Sequence, residues 1–428
     1  MTMLRSVSSR GSDDAGIDRD AAALLLDMER AMHVSALPAD VLEERVREMA
    51  TGLGMAAEIF TAQSFTATEL RAGKQTSVEI RRIPFDPHWN LTRIADLLAL
   101  ARAVAERRIP VGEARVQLRS ITSRGNRYPK WLVVVGYAIY SAVVAVRVGG
   151  SWREMAVALA IGALVGGIHF GTLANDTVDL EKSFIGSLAG ALGVLVAALI
   201  LPPFDAARAL FGGVTLLVPA MTITIGLHEL ANGAPESGAV RLFHGMLRFL
   251  MLAFGIAAAL NSWRVVGPVP SDAPIAATPL SHAVVLAVVA VGGLALVVCL
   301  QGRPTNAGWV VAAVVIAYGS QELTKIWFGP RGSPFIAAFV LGAAAHLHRR
   351  WSGRSMAKMI VPGLLQLAPG FLGTEASFKL LRHGATASDA TFFDVMLVAL
   401  QLGTGLLIAE LLFRRRAPER ARAAAVAS

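Results

Sequence analysis

The sequence predicts an all-α membrane bundle of about ten transmembrane helices, arranged as two inverted halves of five helices, with a soluble α+β domain in front of it. Hydrophobic residues make up 54% of the 428 residues and charged residues only 17%, whereas a soluble protein carries about 25% charge. Residues 1–130 hold an ordinary share of charge, and residues 132–413 contain long stretches with none. The main boundary is therefore expected near residue 130.

The N-terminal part is predicted to contain a disordered tail over residues 1–19 and an α+β domain over residues 20–130. Its helices and strands follow from apolar residues at helical spacing and from β-prone residues that alternate with polar ones. The helices are predicted at 20–35, 39–55, 90–107 and 111–122, and the strands at 57–61, 64–70 and 76–83. Asp40 is the predicted N-cap of the second helix, because Glu43 follows three residues later.

The membrane part is divided by length, since a helix needs about 20 apolar residues to cross roughly 30 Å of hydrocarbon. The predicted spans are 131–149, 154–173, 183–202, 209–228, 244–261, 281–300, 307–323, 334–349, 356–373 and 391–413. A Pro-rich external linker at 262–280 separates the first half, 131–261, from the second, 281–413, and a basic tail follows at 414–428. Five spans in each half would give the two halves opposite orientations, as in inverted-repeat transporters.

Lysine and arginine residues predict the orientation. Arg124, Arg127 and Lys130 precede the first span, and Arg414 to Arg416 follow the last. With ten spans these positions fall on one side, so both termini are expected in the cytoplasm and the chain in the cell (inner) membrane. Residues 1–20 contain no apolar core, so we expect no cleavable signal peptide. The net charge of +9 fits this bias, and we expect no nucleic-acid partner.

Prolines interrupt the predicted fourth span at Pro219 and the ninth at Pro362. A proline removes a backbone hydrogen bond, and matching interrupted helices in two halves are typical of a transporter's central site. A packing kink is the alternative. The residues predicted to bind substrate are Pro219, Thr222, Thr224, Asn232, Pro362, Gly363, Pro369 and Gly370.

His228 and Glu229 end the fourth span. An ionisable residue at membrane depth is a functional hypothesis by default, so the pair is predicted to couple transport to protons; the alternative is that both are solvated at the cytoplasmic interface. The zinc-protease motif needs a second histidine four residues after the first, where this chain has Asn232. We therefore expect no metal site, no cofactor and no enzymatic activity.

The residues around the fourth span carry the resemblance to a known family. They are Pro219-Ala220, Thr224-Ile225, Glu229, Asn232-Gly233, Ser237-Gly238 and Arg241. Over roughly residues 20–413 the chain resembles the threonine/serine exporter family, which favours Pro-Gly, Thr-Asn, an acid, a small residue with Gly, Ser-Gly and Arg at these positions. Ala220 and Ile225 depart from that pattern, and Glu229 replaces the family's usual Asp.

The resemblance implies export of small hydroxylated amino acids such as threonine and serine, driven by the proton gradient. Some relatives are split into two proteins and are associated with dicarboxylate export, so a dicarboxylate (succinate-like) exporter is the first alternative; the scarcity of arginine and lysine within spans weighs against it. A membrane receptor or scaffold whose soluble domain binds a ligand or partner is the second. The expected partners are a small-molecule substrate and membrane lipid, and a homo-oligomer is possible.

Overall fold

The computed structural model describes residues 16–83, 89–172, 179–267, 280–352, 355–367 and 385–413. The N-terminal region, residues 16–123, contains four helices and one antiparallel sheet with strand order β1-β2-β3. Its elements are α1 Arg19–Val34, α2 Ala39–Gly52, β1 Ala56–Thr61, β2 Phe65–Ala72, β3 Gln75–Arg82, α3 Leu91–Ala105 and α4 Val111–Ser123. These elements confirm the predicted order, and their ends differ from the predicted ones by three residues or fewer.

The core of the N-terminal region forms because each element has one apolar face. Residues of β1 alternate between exposed and buried, as expected for a strand with one face against a core. Leu24 and Leu25 of α1, Leu42 of α2, Leu70 of β2 and Leu97 of α3 pack in one hydrophobic cluster. This cluster also contacts Ala357, which belongs to a later helix, so the N-terminal region packs against the rest of the chain.

The predicted N-cap at Asp40 is wrong. Helix α2 begins at Ala39, and Pro38 is its N-cap residue and makes no side-chain cap hydrogen bond. Asp40 therefore lies in the first helical turn. At this helix start the backbone N–H of Ala39 donates to a partner outside the region, the side chain of Glu229 at 2.9 Å.

The described parts of the apolar region, residues 130–413, are almost entirely helical. Its helices are α5 Lys130–Arg147, α6 Trp152–Gly167, α7 Asp179–Ile200, α8 Ala206–Val214, α9 Ala220–Ala231, α10 Pro235–Trp263, α11 His282–Cys299, α12 Ala307–Ser352, α13 Ala357–Leu367 and α14 Ala385–Phe413. Among the described residues, five helices are long and apolar enough to cross a membrane, namely α5, α6, α7, α10 and α11. The bent pair of α8 and α9 would make a sixth.

The seventh, eighth and ninth predicted spans do not correspond one to one with helices of the structure. Helix α12 covers both the seventh and the eighth predicted span, with a break at Gly329, whose φ is 65° and ψ 176°. Helix α13 has 11 residues, and the remainder of the predicted ninth span lies outside the described residues. Most of the Pro-rich linker, the tail at 414–428 and residues 1–15 also lie outside them. Ten spans and two inverted halves therefore stay predictions.

Two hydrophobic clusters form the interior of the apolar region. One joins α6, α7, α8 and α10. The other joins α5 and α9 to α11, α12, α13 and α14. Helices α5 and α9 therefore pack with helices from the later part of the chain, although they precede the predicted linker. This arrangement places α9 between α10 on one side and α13 and α14 on the other.

Candidate functional site

The chain bends at Pro219, between α8 and α9. Helix α8 continues as a short 3-10 turn to Leu217 and α9 begins at Ala220, with an angle of 58° between the two segments. Proline cannot donate the backbone hydrogen bond that would join them, so the predicted interruption of this span is present. Thr222 and Thr224 follow in α9 and are both buried.

Glu229, near the end of α9, is fully buried. Its Oε1 accepts a hydrogen bond from the backbone N–H of Ala39 at 2.9 Å, and its Oε2 accepts one from the hydroxyl of Ser237 at 3.0 Å. The same Oε2 lies 3.0 Å from Nε of Arg241. Both carboxylate oxygens thus have partners, and the side chain is not solvated.

Arg241, on α10, completes this ion pair and is itself only 3% exposed. Its Nη2 donates to the carbonyl of Leu37 at 3.2 Å. The pair therefore holds α9 and α10 against the loop between α1 and α2. We call this contact of Glu229 and Arg241 with Leu37 and Ala39 the junction. Removing one partner of such a buried pair leaves a charge uncompensated, at a cost of about 3–5 kcal/mol.

Two glycines let α9 and α10 approach closely enough to form the junction. A Cβ atom added to Gly238 would lie 2.6 Å from the carbonyl oxygen of Gly226, and one added to Gly226 would lie 2.9 Å from that of Gly238. The helix backbones are therefore in direct contact. Ser237 and Arg241 flank this contact on α10, so the spacing of the Ser-Gly and Arg positions has a structural reason.

His228 and Asn232 lie beside the junction. Nε2 of His228 is 3.6 Å from Oδ2 of Asp40, and Nδ2 of Asn232 donates to the carbonyl of His228 at 3.0 Å. Burial raises the pKa of Asp40, but the hydrogen bond and charge of His228, together with backbone N–H groups, outweigh burial and leave that pKa below its usual value. Gly233, with φ +82°, then turns the chain towards α10.

His33 and Gln63 extend the polar network into the N-terminal region. Nε2 of His33 lies 3.1 Å from the carbonyl of Gln63, and Oε1 of Gln63 lies 3.4 Å from the hydroxyl oxygen of Ser237. Burial lowers the pKa of His33 to about 4, although the hydrogen bond to Gln63 opposes this shift; the positive charge of Arg241 adds to it. His33 is therefore neutral at pH 7.

The predicted second interruption is not found at Pro362. Helix α13 runs through this residue without a break, although an interior proline removes the hydrogen bond to the carbonyl four residues earlier and crowds that carbonyl. Gly363 packs on α12, where an added Cβ would lie 2.5 Å from Leu341. Pro369 and Gly370 lie outside the described residues.

The structure thus brings together only part of the predicted site. Glu229, His228 and Asn232 cluster at the junction, while Pro362 and Gly363 lie on a different helix that contacts both α9 and α12. The partners from the N-terminal region were missed. Among the residues that contact Glu229, only Ser237 and Arg241 on α10 had a recognisable sequence pattern. They are four positions apart, and such positions share one face of a helix.

Comparison with known proteins places this site in a described family. The sequence profile of the family "Putative threonine/serine exporter" matches residues 23–263, which is more than half of the chain. The matched range includes the N-terminal region, the bend at Pro219 and the whole junction. No solved structure matches the chain.

Several curated fungal proteins are similar to it. "Pheromone-regulated membrane protein 10" of Debaryomyces hansenii is 25% identical over 327 residues, covering 71% of this chain and 32% of that protein. The protein of the same name from Kluyveromyces lactis is 24% identical over 368 residues, covering 78% and 37%. An uncharacterized protein of Schizosaccharomyces pombe is 23% identical over 416 residues, covering 90% and 54%. The chain spans about a third to a half of these relatives. Together with its apolar helices, the likeness identifies a multi-pass membrane protein.

Proposed function

Because the chain belongs to the threonine/serine exporter family, we propose that it is a secondary transporter that exports small amino acids such as threonine and serine, coupled to the proton gradient. One observation carries the proton coupling: a fully buried carboxylate, Glu229, ends a helix that is bent from its predecessor. Ionisable residues within membrane segments commonly mark ion and proton pathways.

In this proposal Glu229 carries the proton and the junction acts as a gate. The carboxylate holds Arg241 and the N–H of Ala39 while it is ionised. A proton on Glu229 removes the negative charge that both partners require, so it weakens the hold of α9 and α10 on the loop between α1 and α2. His228 is placed to pass the proton, since it adjoins Glu229 in sequence and faces Asp40.

The substrate path is proposed to run beside the bend at Pro219. Backbone carbonyls freed at a break need other partners in a membrane, and a polar substrate offers them. Thr222 and Thr224 supply hydroxyl groups in the same helix, and Asn232 ends it. Pro362 and Gly363 on α13, followed by Pro369 and Gly370, are proposed to complete the path from the other side.

The proposal keeps the predicted placement in the cell's inner membrane. The basic residues before α5 and after α14 support a cytoplasmic side for both termini. The N-terminal region would then close the cytoplasmic entrance to the path. Ten spans in two inverted halves belong to the same proposal.

Efflux from proteoliposomes tests the function. Vesicles containing the full chain are loaded with labelled threonine or serine, and release is followed with and without a pH gradient. We expect release that rises with the gradient. Release of succinate in place of the amino acids would assign the alternative of dicarboxylate export. No gradient-dependent release of any small amino acid or dicarboxylate would overturn the proposal of a proton-coupled exporter.

A matched pair of variants tests the proton role. Glu229→Gln keeps one of the two acceptor oxygens but cannot ionise. Glu236→Gln makes the same chemical change seven residues later, at an exposed position. We expect Glu229→Gln to lose the dependence of efflux on the pH gradient and Glu236→Gln to keep it. Full pH coupling in Glu229→Gln would show that another group carries the proton.

A further inference from the structure

Arg147, in the last turn of α5, reaches the end of α13. Its Nη1 donates a hydrogen bond to the backbone carbonyl of Gln366. Tyr140, two turns earlier in α5, donates from its hydroxyl to the carbonyl of Leu365 at 3.2 Å. Helix α5 thus provides hydrogen-bond donors to the final turn of α13, where helix carbonyls lack partners of their own.

The side chain of Gln366 is buried without a hydrogen bond. It is 0% exposed, and among the described residues neither its Oε1 nor its Nε2 has a partner. Burying an amide in this way costs about 1–3 kcal/mol for each unsatisfied group. Native proteins seldom leave such groups unpaired, and a bound molecule is one explanation when they do.

The charge of Arg147 is also incompletely matched. Among the described side chains, none forms an ion pair with it, although the structure contains many other arginine–carboxylate pairs. Glu322 and Tyr318 of α12 lie close enough to act on it electrostatically. Glu322 bonds to Lys325 on its own helix, so this carboxylate does not neutralise the guanidinium directly.

Tyr140 and Tyr318, which both act on Arg147 electrostatically, lie near the middle of the apolar region. Helix α5 begins beside the N-terminal region, since Tyr128 bonds to Gln301 and Thr92 bonds to the same residue. At 1.5 Å per residue, Tyr140 lies about 15 Å along α5 and Tyr318 about 16 Å along α12. That is about half of a hydrocarbon layer roughly 30 Å thick.

We propose that Arg147 and the side chain of Gln366 form a carboxylate-binding site among the apolar helices, with Glu322 placed to attract the ammonium group of an amino acid. A guanidinium binds a carboxylate through two parallel hydrogen bonds. Nε2 of Gln366 donates to the same carboxylate, and its Oε1 accepts from an ammonium or hydroxyl group. The site rests on the proposed function and specifies the group by which the cargo is recognised.

This site makes dicarboxylate export a stronger alternative than the sequence indicates, because it provides a cation for a carboxylate. The sequence places Arg147 at the outer end of the first predicted span, where it is grouped with the basic residues of the outer side. In the structure its head group instead contacts a buried backbone carbonyl of α13. A carboxylate is common to amino acids and dicarboxylates, so the experiment has to separate them by their second charged group.

Ligand-dependent stabilisation of the purified full chain tests the site without requiring transport. The melting temperature is measured with threonine, serine, succinate and ethanolamine, the last of which carries an ammonium group and no carboxylate. Since a ligand that binds only the folded state stabilises it, we expect a rise with solutes that carry a carboxylate and none with ethanolamine. The absence of a shift with every carboxylate solute would overturn the site.

Matched arginine variants assign the shift to Arg147. Arg147→Gln should abolish it, whereas Arg153→Gln should keep it; Arg153 also donates to a backbone carbonyl, that of Pro203, but at an exposed position. Gln366→Glu places a carboxylate beside Arg147 and should abolish the shift. Gln366→Leu should weaken binding about tenfold, as expected for one or two lost hydrogen bonds. Equal shifts in Arg147→Gln and Arg153→Gln would overturn the site.

Glu322→Gln separates the two classes of cargo. It should weaken the binding of threonine and leave that of succinate unchanged or stronger, because only the amino acid carries an ammonium group. Equal effects on both would remove Glu322 from the site. Binding that depends on Arg147 without any efflux would sink the exporter function and keep the site. Efflux with a wild-type KM in Arg147→Gln would sink the site and keep the exporter.

Discussion

Arg241 and Arg147 both lie on apolar helices, and they differ in what surrounds them. Arg241 has a carboxylate, Glu229, and the carbonyl of Leu37, and every oxygen of that carboxylate is used. Arg147 has a carbonyl and an unsatisfied amide, both from Gln366. Counted by charge, the first environment is complete, although Nε of Arg241 makes no hydrogen bond, and the second is open to a further group.

The difference indicates how one fold can use the same residue in two ways. A complete set of partners fixes the position of neighbouring elements, because each partner would be left buried and unpaired if they separated. Side chains whose set of partners is incomplete can still bind a molecule that enters and leaves the site. We therefore interpret the junction as a closure and the Arg147 cluster as a binding site.

The largest effect is expected when the complete environment is broken. Glu229→Ala leaves the Arg241 charge buried without a partner, so it should lower the free energy of unfolding by about 3–5 kcal/mol. Chemical denaturation of the detergent-purified protein measures it. The double variant Glu229→Ala, Arg241→Met should recover most of the loss, and the exposed control Glu236→Ala should stay within about 0.5 kcal/mol. A loss in the double variant as large as in Glu229→Ala would contradict the pairing.

A similar effect is expected from pH, through His33 beside the junction. Its pKa is about 4 in the folded protein and 6.5 in a free side chain, so the unfolded state binds the proton first as pH falls. Stability should therefore decrease from pH 6.5 down to pH 4, by about 3 kcal/mol in total at about 1.36 kcal/mol per pKa unit. Melting temperatures across this range measure the slope.

The variant His33→Gln should flatten this slope, because glutamine can still donate to the carbonyl of Gln63 but does not titrate. The exposed His282→Gln, in the first turn of α11, is the control and should leave the slope as it is. An unchanged slope in His33→Gln would assign the pH dependence to other groups.

A smaller effect on stability is expected from separating α9 and α10, which carry Glu229 and Arg241. Gly238→Ala puts a Cβ atom 2.6 Å from the carbonyl oxygen of Gly226, so α9 and α10 must move apart. We expect a loss of about 1–3 kcal/mol and a weaker ion pair. Gly308→Ala, where no atom lies within 4 Å of the added Cβ, should cost nothing. Thermal unfolding of the two variants side by side decides it.

The smallest effect on stability is expected at the open environment. Arg147→Met removes one hydrogen bond to a carbonyl and leaves no carboxylate unpaired among the described side chains. The change in unfolding free energy should be about 1 kcal/mol or less, measured as for the Glu229 variants. A loss as large as that of Glu229→Ala would mean that the two arginines have the same role, and would remove the distinction on which the binding site rests.

Much of the fold could be predicted from the sequence because its signals are local. Alternation gave the three strands and helical periodicity gave the four helices of the N-terminal region. The bend at Pro219 follows from one residue that cannot donate a hydrogen bond. Pro362 shows the limit of that rule, since α13 continues through it without a break.

The partners at the site could not be predicted because they are distant in the chain. Ala39 and Glu229 are separated by 190 residues, and only the folded chain brings them together. Asp40 was assigned as a cap from local spacing, while the structure satisfies the helix start with a residue outside the sequence window. Arg147 falls within the first predicted span, 131–149, and sequence position does not reveal that its head group contacts the carbonyl of Gln366.

The start of α2 has a consequence for how the protein is made. The ribosome synthesises α2 long before it reaches Glu229. The first N–H of that helix therefore has no acceptor until a later membrane segment supplies one. The N-terminal region therefore reaches its final contacts after α9 and α10 have entered the bilayer and paired. Docking of the N-terminal region therefore requires that α9 has already been placed correctly.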